Sequence, residues 1–527
     1  MRILLLLPLF CSVITYGQKQ HFVEFWDNGL KNSEGYYERG VEHGLWKYWH
    51  ENGNRMEEAN YWFGVLNGAV MRYYENGNIQ TEGYFKKGLQ DSIMRNYSVD
   101  SVLLEEGFFR LDRRMGEWNY WFNSGTKKKT ETYNDTIVFT NFLASENNEV
   151  IIKDGAGVLK EYFSSGAVRI ETTYAGGLPN GKHTVYFVDG SVHETGNYKD
   201  GKRDGEWREN YFGGKQERIS TYKRGIPDGM FKQFFINGQV DMEGNHLNGK
   251  KDGLWKWYFE DGKTDMEGSF TDDLQEGTWM YYYGNGNTHY TGNYTQGKMH
   301  GEWQYFYFNG EPWHTGSYDM GVKTGEWTYW FESGQLLMHG DFKDGKENGV
   351  WESWYDNGRE KDKGNFKDGM MNGAWEGWYP NGVRQYTGSW NGDLRTGSWS
   401  FWWENGKQHE TGSYTAEGKK TGKWETYSEF GYPEMIGSYS DNIPDGKWEY
   451  YFQTGSPERT CTYKVGKLDG LVITYNQRGM VVMEAEYKNN KRHGKYIRYN
   501  EKTNQIEEHF IYENGMVAKV IKGKGAK

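Results

Sequence analysis

The feature of this chain that most restricts its fold is a repeat of 24 residues. The stretch Gly-Glu-Trp-Gln-Tyr-Phe-Tyr-Phe-Asn-Gly begins at Gly301, and a close copy, Gly-Glu-Trp-Thr-Tyr-Trp-Phe-Glu-Ser-Gly, begins at Gly325. The leading glycine recurs at nearly this step along most of the 527 residues, which gives about 20 repeats. A fixed period of this length is typical of architectures in which each repeat is one supersecondary element that packs on its neighbours.

Each repeat carries aromatic residues and glycines at fixed places. With the leading glycine as position 0, position 2 is tryptophan in twelve repeats, positions 5 and 17 are mostly aromatic, and positions 9 and 15 are mostly glycine. Position 9 often follows asparagine, as in Asn309-Gly310. Asn-Gly between two aromatic-rich runs predicts a β-hairpin with a two-residue turn, whereas each glycine in a helix would cost about 1 kcal/mol.

The position of that turn sets the register of the hairpin. If positions 8 and 9 form the turn, paired positions sum to 17, so each tryptophan at position 2 lies across from the glycine at position 15. A bare glycine leaves room for the ring to lie on the backbone, and the ring shields a residue that weakens strands. Position 5 has the opposite parity and is expected on the other face. The predicted structural ladder of rings and glycines comprises Trp255, Trp279, Trp303, Trp327, Trp351, Tyr294, Tyr318, Gly268, Gly292, Gly316 and Gly340.

The predicted fold class is all-β. With 72 glycines and 18% aromatic residues, the chain suits strands and tight turns. A lone hairpin is not stable in water, so stability has to come from neighbouring repeats. We therefore expect an elongated, twisted, single antiparallel sheet of tandem 24-residue β-hairpins, solenoid-like.

Two irregularities interrupt the repeat: one extra residue near Gly418, and a long step that divides the chain. The leading glycine jumps from Gly116 to Gly157, and the residues between them include Ile137-Val138-Phe139, too apolar for a disordered linker. The predicted organisation is a signal peptide (1–17), a first repeat array (18–134), an insertion or degenerate repeat (135–156), a second repeat array (157–515) and a C-terminal tail (516–527).

The N-terminus resembles an export signal. Met1-Arg2 precedes an apolar run from Ile3 to Phe10 that is too short to span a bilayer, and small residues at Thr15 and Gly17 suit cleavage after Gly17. Phe10 disfavours a lipoprotein signal at Cys11. The sequence thus predicts an exported protein that is periplasmic, outer-membrane-associated or extracellular, with no transmembrane segment. After cleavage Cys461 is the one cysteine, and we expect it to fill a small-residue place at position 15.

The repeat resembles a known family. The pattern Gly-x-Trp-x-x-Tyr-x-x-Asn-Gly, then Gly-x-Tyr-x-x-Gly, is similar to the MORN repeat and in particular to its bacterial variant, and His300-Gly301 and His493-Gly494 match its His-Gly step. The resemblance covers about residues 20–515. It implies a scaffold with proposed protein or lipid binding, and for bacterial members a label as the antitoxin component of a toxin–antitoxin system, although an export signal conflicts with a cytoplasmic antitoxin.

The sequence offers no motif for chemistry. It has no His-x-x-x-His, Cys-x-x-Cys, nucleophile elbow or Walker loop, so we predict no catalytic residue, no cofactor-binding residue, no metal site and no enzymatic activity. The formal net charge of -11 disfavours nucleic acid as a partner. The predicted function is an exported scaffold that binds another protein along its β surface. Two alternatives stay open: binding of glycan or cell-wall polysaccharide through exposed aromatic rings, and association with membrane lipid.

Overall fold

The structure is a computed structural model that describes residues 19–523. The predicted signal peptide, with Cys11, lies outside the described residues. Among residues 19–523 there are 47 β-strands and no helix, and every strand pairing is antiparallel. The prediction of an all-β fold made of tandem hairpins is confirmed. The chain divides into two compact units, Met1–Lys250 and Lys251–Lys527.

In the first unit, strands that are neighbours in sequence pair in hairpins. The strands are β1 (Gln20–Phe25), β2 (Lys31–Glu38), β3 (Val41–Glu42), β4 (Gly44–Trp49), β5 (Arg55–Trp62), β6 (Val65–Tyr73), β7 (Ile79–Lys86), β8 (Leu89–Gln90), β9 (Ser92–Tyr97), β10 (Leu103–Arg110), β11 (Arg113–Trp121), β12 (Lys127–Asn134), β13 (Ile137–Ala144), β14 (Val150–Lys153), β15 (Ala156–Tyr162), β16 (Val168–Ala175), β17 (Leu178–Tyr186), β18 (Val192–Lys199), β19 (Lys202–Asn210), β20 (Gln216–Lys223), β21 (Ile226–Phe234) and β22 (Val240–Leu247).

The second unit continues the same pattern. Its strands are β23 (Lys250–Tyr258), β24 (Thr264–Thr271), β25 (Leu274–Tyr282), β26 (Thr288–Thr295), β27 (Lys298–Phe306), β28 (Pro312–Asp319), β29 (Val322–Trp330), β30 (Leu336–Lys343), β31 (Lys346–Trp354), β32 (Glu360–Lys367), β33 (Met370–Trp378), β34 (Arg384–Asn391), β35 (Leu394–Trp402), β36 (Gln408–Tyr414), β37 (Lys420–Tyr427), β38 (Pro433–Ser440), β39 (Ile443–Pro444), β40 (Gly446–Tyr451), β41 (Pro457–Lys464), β42 (Lys467–Leu468), β43 (Gly470–Tyr475), β44 (Val481–Lys488), β45 (Lys491–Tyr499), β46 (Ile506–Glu513) and β47 (Met516–Lys522).

The segments without a clear repeat also form strands. Within the predicted insertion, β13 pairs with β14, and β14 pairs with β15 of the next repeat. Residues 516–522 of the predicted tail form β47, which pairs with β46. The boundaries drawn from the repeat spacing stay predictions, since strand pairing continues through the insertion.

The Asn-Gly turn differs from the sequence prediction. Only the glycine has positive φ, 92° at Gly310, and its N–H donates to the carbonyl of Tyr307 at 2.9 Å. The loop therefore has three residues, 308–310, and the predicted two-residue turn is wrong. The pairing still reaches Tyr305 opposite His314, the predicted register, because a bulge at Trp313 absorbs the extra loop residue.

The two-residue turn with positive φ lies at the other end of the hairpin. Met320 and Gly321 have φ of 48° and 92°, and they separate the paired residues Asp319 and Val322. Positive φ at both central residues is the mark of a type I′ turn, which matches the twist of the flanking strands. Turns of this kind link most hairpins to the next one, whereas the connection at Ala416–Gly418 is a three-residue loop.

The leading glycine marks a second irregularity, between hairpins. Gly292 pairs with Trp303 and Asn293 pairs with His300, so Gly301 and Glu302 bulge out of the ladder. Gly301 has a φ of 74°, a conformation that L-residues with side chains rarely adopt. A bulge re-aims the side chain that follows it, which here is the tryptophan at position 2.

Side chains at many of the three-residue loops tie one hairpin to the next. The Tyr307 hydroxyl donates to the carbonyl of Trp330 at 2.8 Å, and Tyr283 makes the same bond to Phe306. Asn309 Nδ2 donates to the carbonyl of Glu332 at 3.3 Å. Each bond spans 23 residues, so this edge of the sheet is held by a row of repeat-to-repeat hydrogen bonds.

Candidate binding surface

The tryptophan–glycine ladder forms, with one difference from the prediction. Trp303 lies across from Gly316 in its own hairpin, as the predicted register requires. Its ring, however, lies on Gly292 of the preceding hairpin, where an added Cβ would come within 2.2 Å of Trp303 Cδ2. Gly316 is covered in turn by Trp327. The ladder thus joins hairpins to one another, because the bulge at the leading glycine turns each ring backward.

The other predicted ladder residues occupy the same places. Trp279 lies on Gly268, and Trp351 lies on Gly340. Trp255 is buried and pairs with Gly268 across its own hairpin. The predicted ladder residues of the second unit therefore occupy equivalent strand positions from one repeat to the next.

A signal in the sequence could have shown which glycine each ring covers. Every one of the twelve tryptophans at position 2 has a glycine 11 residues earlier, or 12 for Trp424. Across their own hairpins, four of them face residues other than glycine, namely Ala59, Glu131, Ser220 and Cys461. Tryptophan therefore co-occurs with the glycine of the preceding hairpin.

A hydrogen bond explains why position 2 is tryptophan rather than another aromatic residue. Trp303 Nε1 donates to the carbonyl of Asn293 at 3.1 Å, and Trp327 Nε1 donates to that of Ser317 at 3.3 Å. Phenylalanine has no such donor. Both rings are at most 1% exposed. These tryptophans are the core of the repeat, so their faces are not available for stacking on a sugar.

Tyrosines at position 17 complete the ladder. Tyr318 meets Trp327 edge-to-face at 5.1 Å and Trp303 at 6.1 Å, and Tyr294 meets Trp303 at 5.1 Å. Edge-to-face contacts of this kind add about 0.5–1.5 kcal/mol per pair beyond area burial. Tyrosine and tryptophan thus alternate along one face of the sheet, which we call the ring face.

A second column of rings on the ring face was missed by the sequence analysis. It is formed by positions 4 and 13: Tyr305 stacks on His314 at 4.1 Å, and His314 lies 5.4 Å from Tyr329. Tyr281 and Tyr290 stack in the same way at 4.1 Å. Burial raises the pKa of Tyr329 to about 12, and burial with the nearby Lys323 charge lowers the pKa of His314 to about 4.

We expect the second unit to lose stability near His314 as the pH falls. Since the folded-state pKa of about 4 is below the ordinary 6.5, the unfolded chain binds the proton more tightly, so the loss begins near pH 6.5 and levels off below pH 4. Partial exposure limits the loss to about 2 kcal/mol. His314→Tyr, which copies Tyr290 in the preceding repeat, should abolish this pH dependence. Amide hydrogen exchange of β28 at pH 7.5 and 4.5 gives the free energy of local opening, and an equal change with pH in both proteins would contradict the assignment.

Cations cover several of the buried tryptophans from the solvent side. The residue two places before the leading glycine supplies them: Lys323 Nζ lies 4.0 Å from the centre of the Trp327 ring, and Lys420 Nζ lies 3.7 Å from that of Trp424. Arg395 does the same over Trp399 at 4.7 Å. A cation over an indole face is worth about 0.5–2 kcal/mol. The charged group thus shields the indole ring from solvent in these repeats.

The ring face has a notch where these covers are missing. Position 4 is Ser353 in one repeat and Gly377 in the next, in place of a ring, and Asp362 stands between them at position 13. Trp351 and Trp375 are each 8% exposed, against 0–2% for ten of the other tryptophans at position 2. The cavity has a volume of about 370 Å³ and is lined by Tyr329, Leu337, Met338, Phe342, Glu347, Trp351, Glu352, Ser353, Lys361, Asp362, Phe366 and Trp375.

Hydrogen bonds hold the floor of this notch in place. The Tyr386 hydroxyl donates to Asp362 Oδ1 at 2.7 Å, and the Asp362 N–H donates to Ser353 Oγ at 3.1 Å. An added Cβ at Gly377 would lie 2.3 Å from Tyr386 Cε1, so a side chain there would displace that ring. The carboxylate of Asp362 is thereby fixed beside the two tryptophans.

A larger depression of about 750 Å³ lies in the first unit. Four of its six charged side chains pair with one another: Arg114 with Glu105 at 2.7 Å, and Lys129 with Glu131 at 2.8 Å. Arg114 also covers Trp118 at 4.3 Å. Since most of its charged groups are paired within the chain, this depression is a weaker candidate than the notch.

The opposite face of the sheet is polar. Lys256 pairs with Glu267 across the strands at 2.7 Å, and the Tyr282 hydroxyl at position 5 donates to the same carboxylate at 3.1 Å. His339 stacks on Trp354, also at position 5, at 5.4 Å. Position 5 thus faces away from the ring face, as its parity predicted, and the face carries cross-strand charge pairs.

Exposed apolar side chains recur at the two-residue turns. They occupy position 21, and in the second unit they are 42–49% exposed: Leu274, Val322, Met370, Leu394 and Ile443. Exposed lysines fill the same position in intervening repeats, among them Lys298 and Lys346. We call this row the turn ridge. Adjacent repeats place its side chains about 9–10 Å apart, twice the spacing of strands.

The remaining candidates have structural roles. Cys461 is buried at position 15 across from Trp448, and burial raises the pKa of its thiol, so it fills the small-residue place that the sequence indicated. No cluster of three or more His, Cys, Asp or Glu side chains suited to a metal occurs between residues 19 and 523. Over the same residues, no helix has the length and apolar character needed to cross a membrane.

Comparison with known proteins identifies the repeat in part of the chain. The family described as MORN repeat variant matches residues 42–62, 66–87, 251–272, 299–320, 323–344 and 444–464, which confirms the predicted repeat at these six segments. This match describes a repeat and names no partner or activity. No curated protein matches the chain.

Several solved structures share a weak likeness. The crystal structure of TcdB2-TccC3-Cdc42 is 9% identical, with a TM-score of 0.14 over 94% of this chain and 28% of that one. The crystal structure of TcdB2-TccC3 is 10% identical with a TM-score of 0.13, and the Photorhabdus luminescens Tc holotoxin pore is 11% identical with a TM-score of 0.14. The chain spans less than a third of each of these proteins. TM-scores of this size establish no common fold.

Proposed function

We propose that this chain is a non-enzymatic repeat scaffold that binds another protein along its β surface. The observation that carries the proposal is the turn ridge, where apolar side chains that no part of the described chain buries recur at one position of the repeat. Apolar side chains that recur on one exposed edge are typical of interaction sites. Lysines between them supply the polar surroundings that protein interfaces have at their rims.

The use of aromatic residues also favours a protein partner. The large rings at positions 2 and 17 are packed inside the repeat and stabilise it, so they are not offered as a sugar-binding platform. The turn ridge instead presents aliphatic side chains, which bind well to apolar groups of a partner but stack poorly on sugar rings. Net negative charge also disfavours binding to anionic lipid.

Export is the second part of the proposal, and it rests on the sequence of the first 17 residues. Protein isolated from its own cells should begin at Gln18. The antitoxin role that the family resemblance implied would require a cytoplasmic partner and an uncleaved N-terminus. The mass of the isolated protein therefore separates these two possibilities.

Site-specific photocrosslinking tests the scaffold function. A photoreactive amino acid is placed at Val322 or Met370 on the turn ridge, and at the exposed Glu302 on the polar face as the matched control. We expect one discrete protein adduct, the same from both ridge positions and absent from the control, when intact cells are irradiated. Adducts that are absent, or equal at Glu302, would contradict the proposal. Binding of the purified chain to neutral polysaccharide or to lipid vesicles, with no protein adduct, would favour the alternatives.

A further inference from the structure

We propose that the notch beside Trp351 binds a lysine or arginine side chain of the partner protein. This inference rests on the proposed scaffold function, since it names the chemistry of one contact that the partner makes. Its basis is a comparison among the repeats of this chain. At several other repeats the equivalent place is filled by a cation that belongs to the chain itself.

The repeat before the notch shows what the filled arrangement looks like. Lys323 Nζ lies 4.0 Å from the centre of the Trp327 ring and 4.9 Å from that of Phe342. Burial against these rings lowers the pKa of Lys323, while the nearby carboxylate of Glu347 acts in the opposite direction. Tyr329 lies beside it and closes the site. In this repeat the ring face thus has a built place for one cationic head.

In the notch both parts of this arrangement are changed. The residue that corresponds to Lys323 is Glu347, and the residue that corresponds to Tyr329 is Ser353. The indole of Trp351 keeps its other contacts, with Gly340 beneath it and Phe342 and Phe366 at its edges. The indole surface of Trp351 is therefore retained. A carboxylate, Glu347, stands in place of the cation, and the small Ser353 leaves open space in place of the tyrosine ring.

The charges around the notch fit a cation from outside the chain. The side chain of Glu347 makes no hydrogen bond or ion pair with any residue between 19 and 523, although its charge acts on Lys323, and Asp362 is held in place by Tyr386. Glu352 is already paired with Lys363 at 2.5 Å. Lys361, the one cation of the lining, lies at the rim, 5.9 Å from the ring of Tyr355. Two carboxylates beside an indole face are the surroundings that an ammonium or guanidinium group prefers.

The volume of the notch suits a single side chain better than an oligosaccharide. Its volume of about 370 Å³ lies at the lower end of the range of small-molecule sites, about 300–1,000 Å³. It therefore has room for one long side chain with its head group but not for several sugar rings. Apolar walls formed by Met338, Phe342 and Phe366 suit the methylene groups of lysine or arginine.

Binding of small probes tests the notch without the partner. The full chain, with ¹⁵N-labelled tryptophan, is titrated with N-acetyl-lysine methylamide and N-acetyl-arginine methylamide, and with the neutral N-acetyl-norleucine methylamide as the control ligand. We expect the cationic probes to shift the indole N–H signals of Trp351 and Trp375 at millimolar concentration. The neutral probe should bind at least about tenfold more weakly, which corresponds to about 1.4 kcal/mol.

Two variants close the site in different ways. Glu347→Lys rebuilds the arrangement of Lys323 over Trp327, and Ser353→Tyr rebuilds that of Tyr329. Both should fold, because neighbouring repeats already contain these residues, and both should weaken the cationic probes at least about tenfold. Glu302→Lys, on the polar face, makes the same change in net charge and should leave the affinity unchanged. Thermal unfolding of each variant shows whether it is folded.

Three results would overturn the proposal: equal shifts with the norleucine probe, unchanged affinity in Glu347→Lys, or binding of N-acetylglucosamine oligomers that Glu347→Lys does not affect. Failure of the cationic site can be distinguished from failure of the scaffold function. Photocrosslinking at Val322 that persists while the probes do not bind would retain the scaffold and remove the notch. Probe binding without any crosslinked protein would retain the cationic site and remove the scaffold.

Discussion

Gly316→Ala is expected to destabilise its part of the second unit by about 2–3 kcal/mol, the usual cost of overpacking. A Cβ at this position would lie 2.2 Å from Cδ2 of Trp327, closer than non-bonded atoms approach. The ring cannot move away cheaply, because it is buried, bonded through Nε1 to the carbonyl of Ser317 and packed edge-to-face on Tyr318. Since the φ of Gly316 is ordinary, the loss comes from space and not from backbone strain.

Gly83→Ala is the matched control for this substitution. Gly83 occupies the same position of the repeat, but the following repeat has Met94 in place of tryptophan, and the nearest atom to an added Cβ is 3.9 Å away. Alanine there should be neutral or stabilising by up to about 1 kcal/mol, because it restricts the unfolded chain. A loss at Gly83 as large as at Gly316 would show that ring contact is not the cause.

A second substitution should rescue the first. Gly316→Ala combined with Trp327→Val reproduces the natural pair of Ala59 and Val70, which face each other between hairpins of the first unit. The double variant should be less destabilised than the sum of the two single variants by at least about 1 kcal/mol. Additive losses would contradict a direct contact between the two residues.

The measurement has to be local. Repeat arrays of this length do not unfold in one cooperative step, so a single melting temperature does not report one contact. Amide hydrogen exchange of β28 and β29, read peptide by peptide, gives the free energy of local opening next to Gly316. Strands several repeats away serve as the internal reference in the same sample.

Much of the fold could be predicted from the sequence, because the same turn residues and the same alternation of aromatic residues and glycines recur in each repeat. Hairpins, the register of Trp303 opposite Gly316, and the placement of position 5 on the other face were all predictable from parity. The register was right although the turn was not. The three-residue loop and the bulge at Trp313 each change the pairing by one residue, and these changes cancel, so a wrong turn type produced a correct ladder.

The features that were missed depend on contacts between repeats. The backward tilt of Trp303 onto Gly292 follows from the bulge at Gly301, which no property of a single hairpin reveals. The column of rings around His314 mixes tyrosine, histidine and methionine, so it gives no consensus residue at its positions. The notch at Trp351 is likewise a departure from the consensus, which becomes visible only when Glu347 is compared with Lys323 of the preceding repeat.

Departures from the repeat are therefore the places where we expect a specific site in this chain. Residues that recur, such as the position 2 tryptophans, are explained by packing within and between hairpins. Residues that break the pattern at one place, such as Ser353 and Gly377, leave a ring surface uncovered at a cost in packing. A repeat scaffold can acquire a specific site in this way without any new element of structure.

The largest expected loss in the chain follows from removal of one position 2 ring. Trp303→Ala should destabilise the hairpins around β27 by about 3–5 kcal/mol, since it opens a cavity between Gly292 and the rings of Tyr294 and Tyr318. Trp303→Phe retains part of that burial but leaves the carbonyl of Asn293 without its donor, so we expect a smaller loss of about 1–3 kcal/mol.

Trp313 provides the control within the same hairpin. It lies at the bulge, is 41% exposed and donates no side-chain hydrogen bond to any residue from 19 to 523, so Trp313→Ala should cost less than about 1 kcal/mol. Hydrogen exchange of β26 to β28 gives all three values. If Trp303→Phe costs as much as Trp303→Ala, the indole donor rather than ring burial controls stability. If neither exceeds Trp313→Ala, the hairpins are not joined through their tryptophans, and the physical basis of the repeat lies elsewhere.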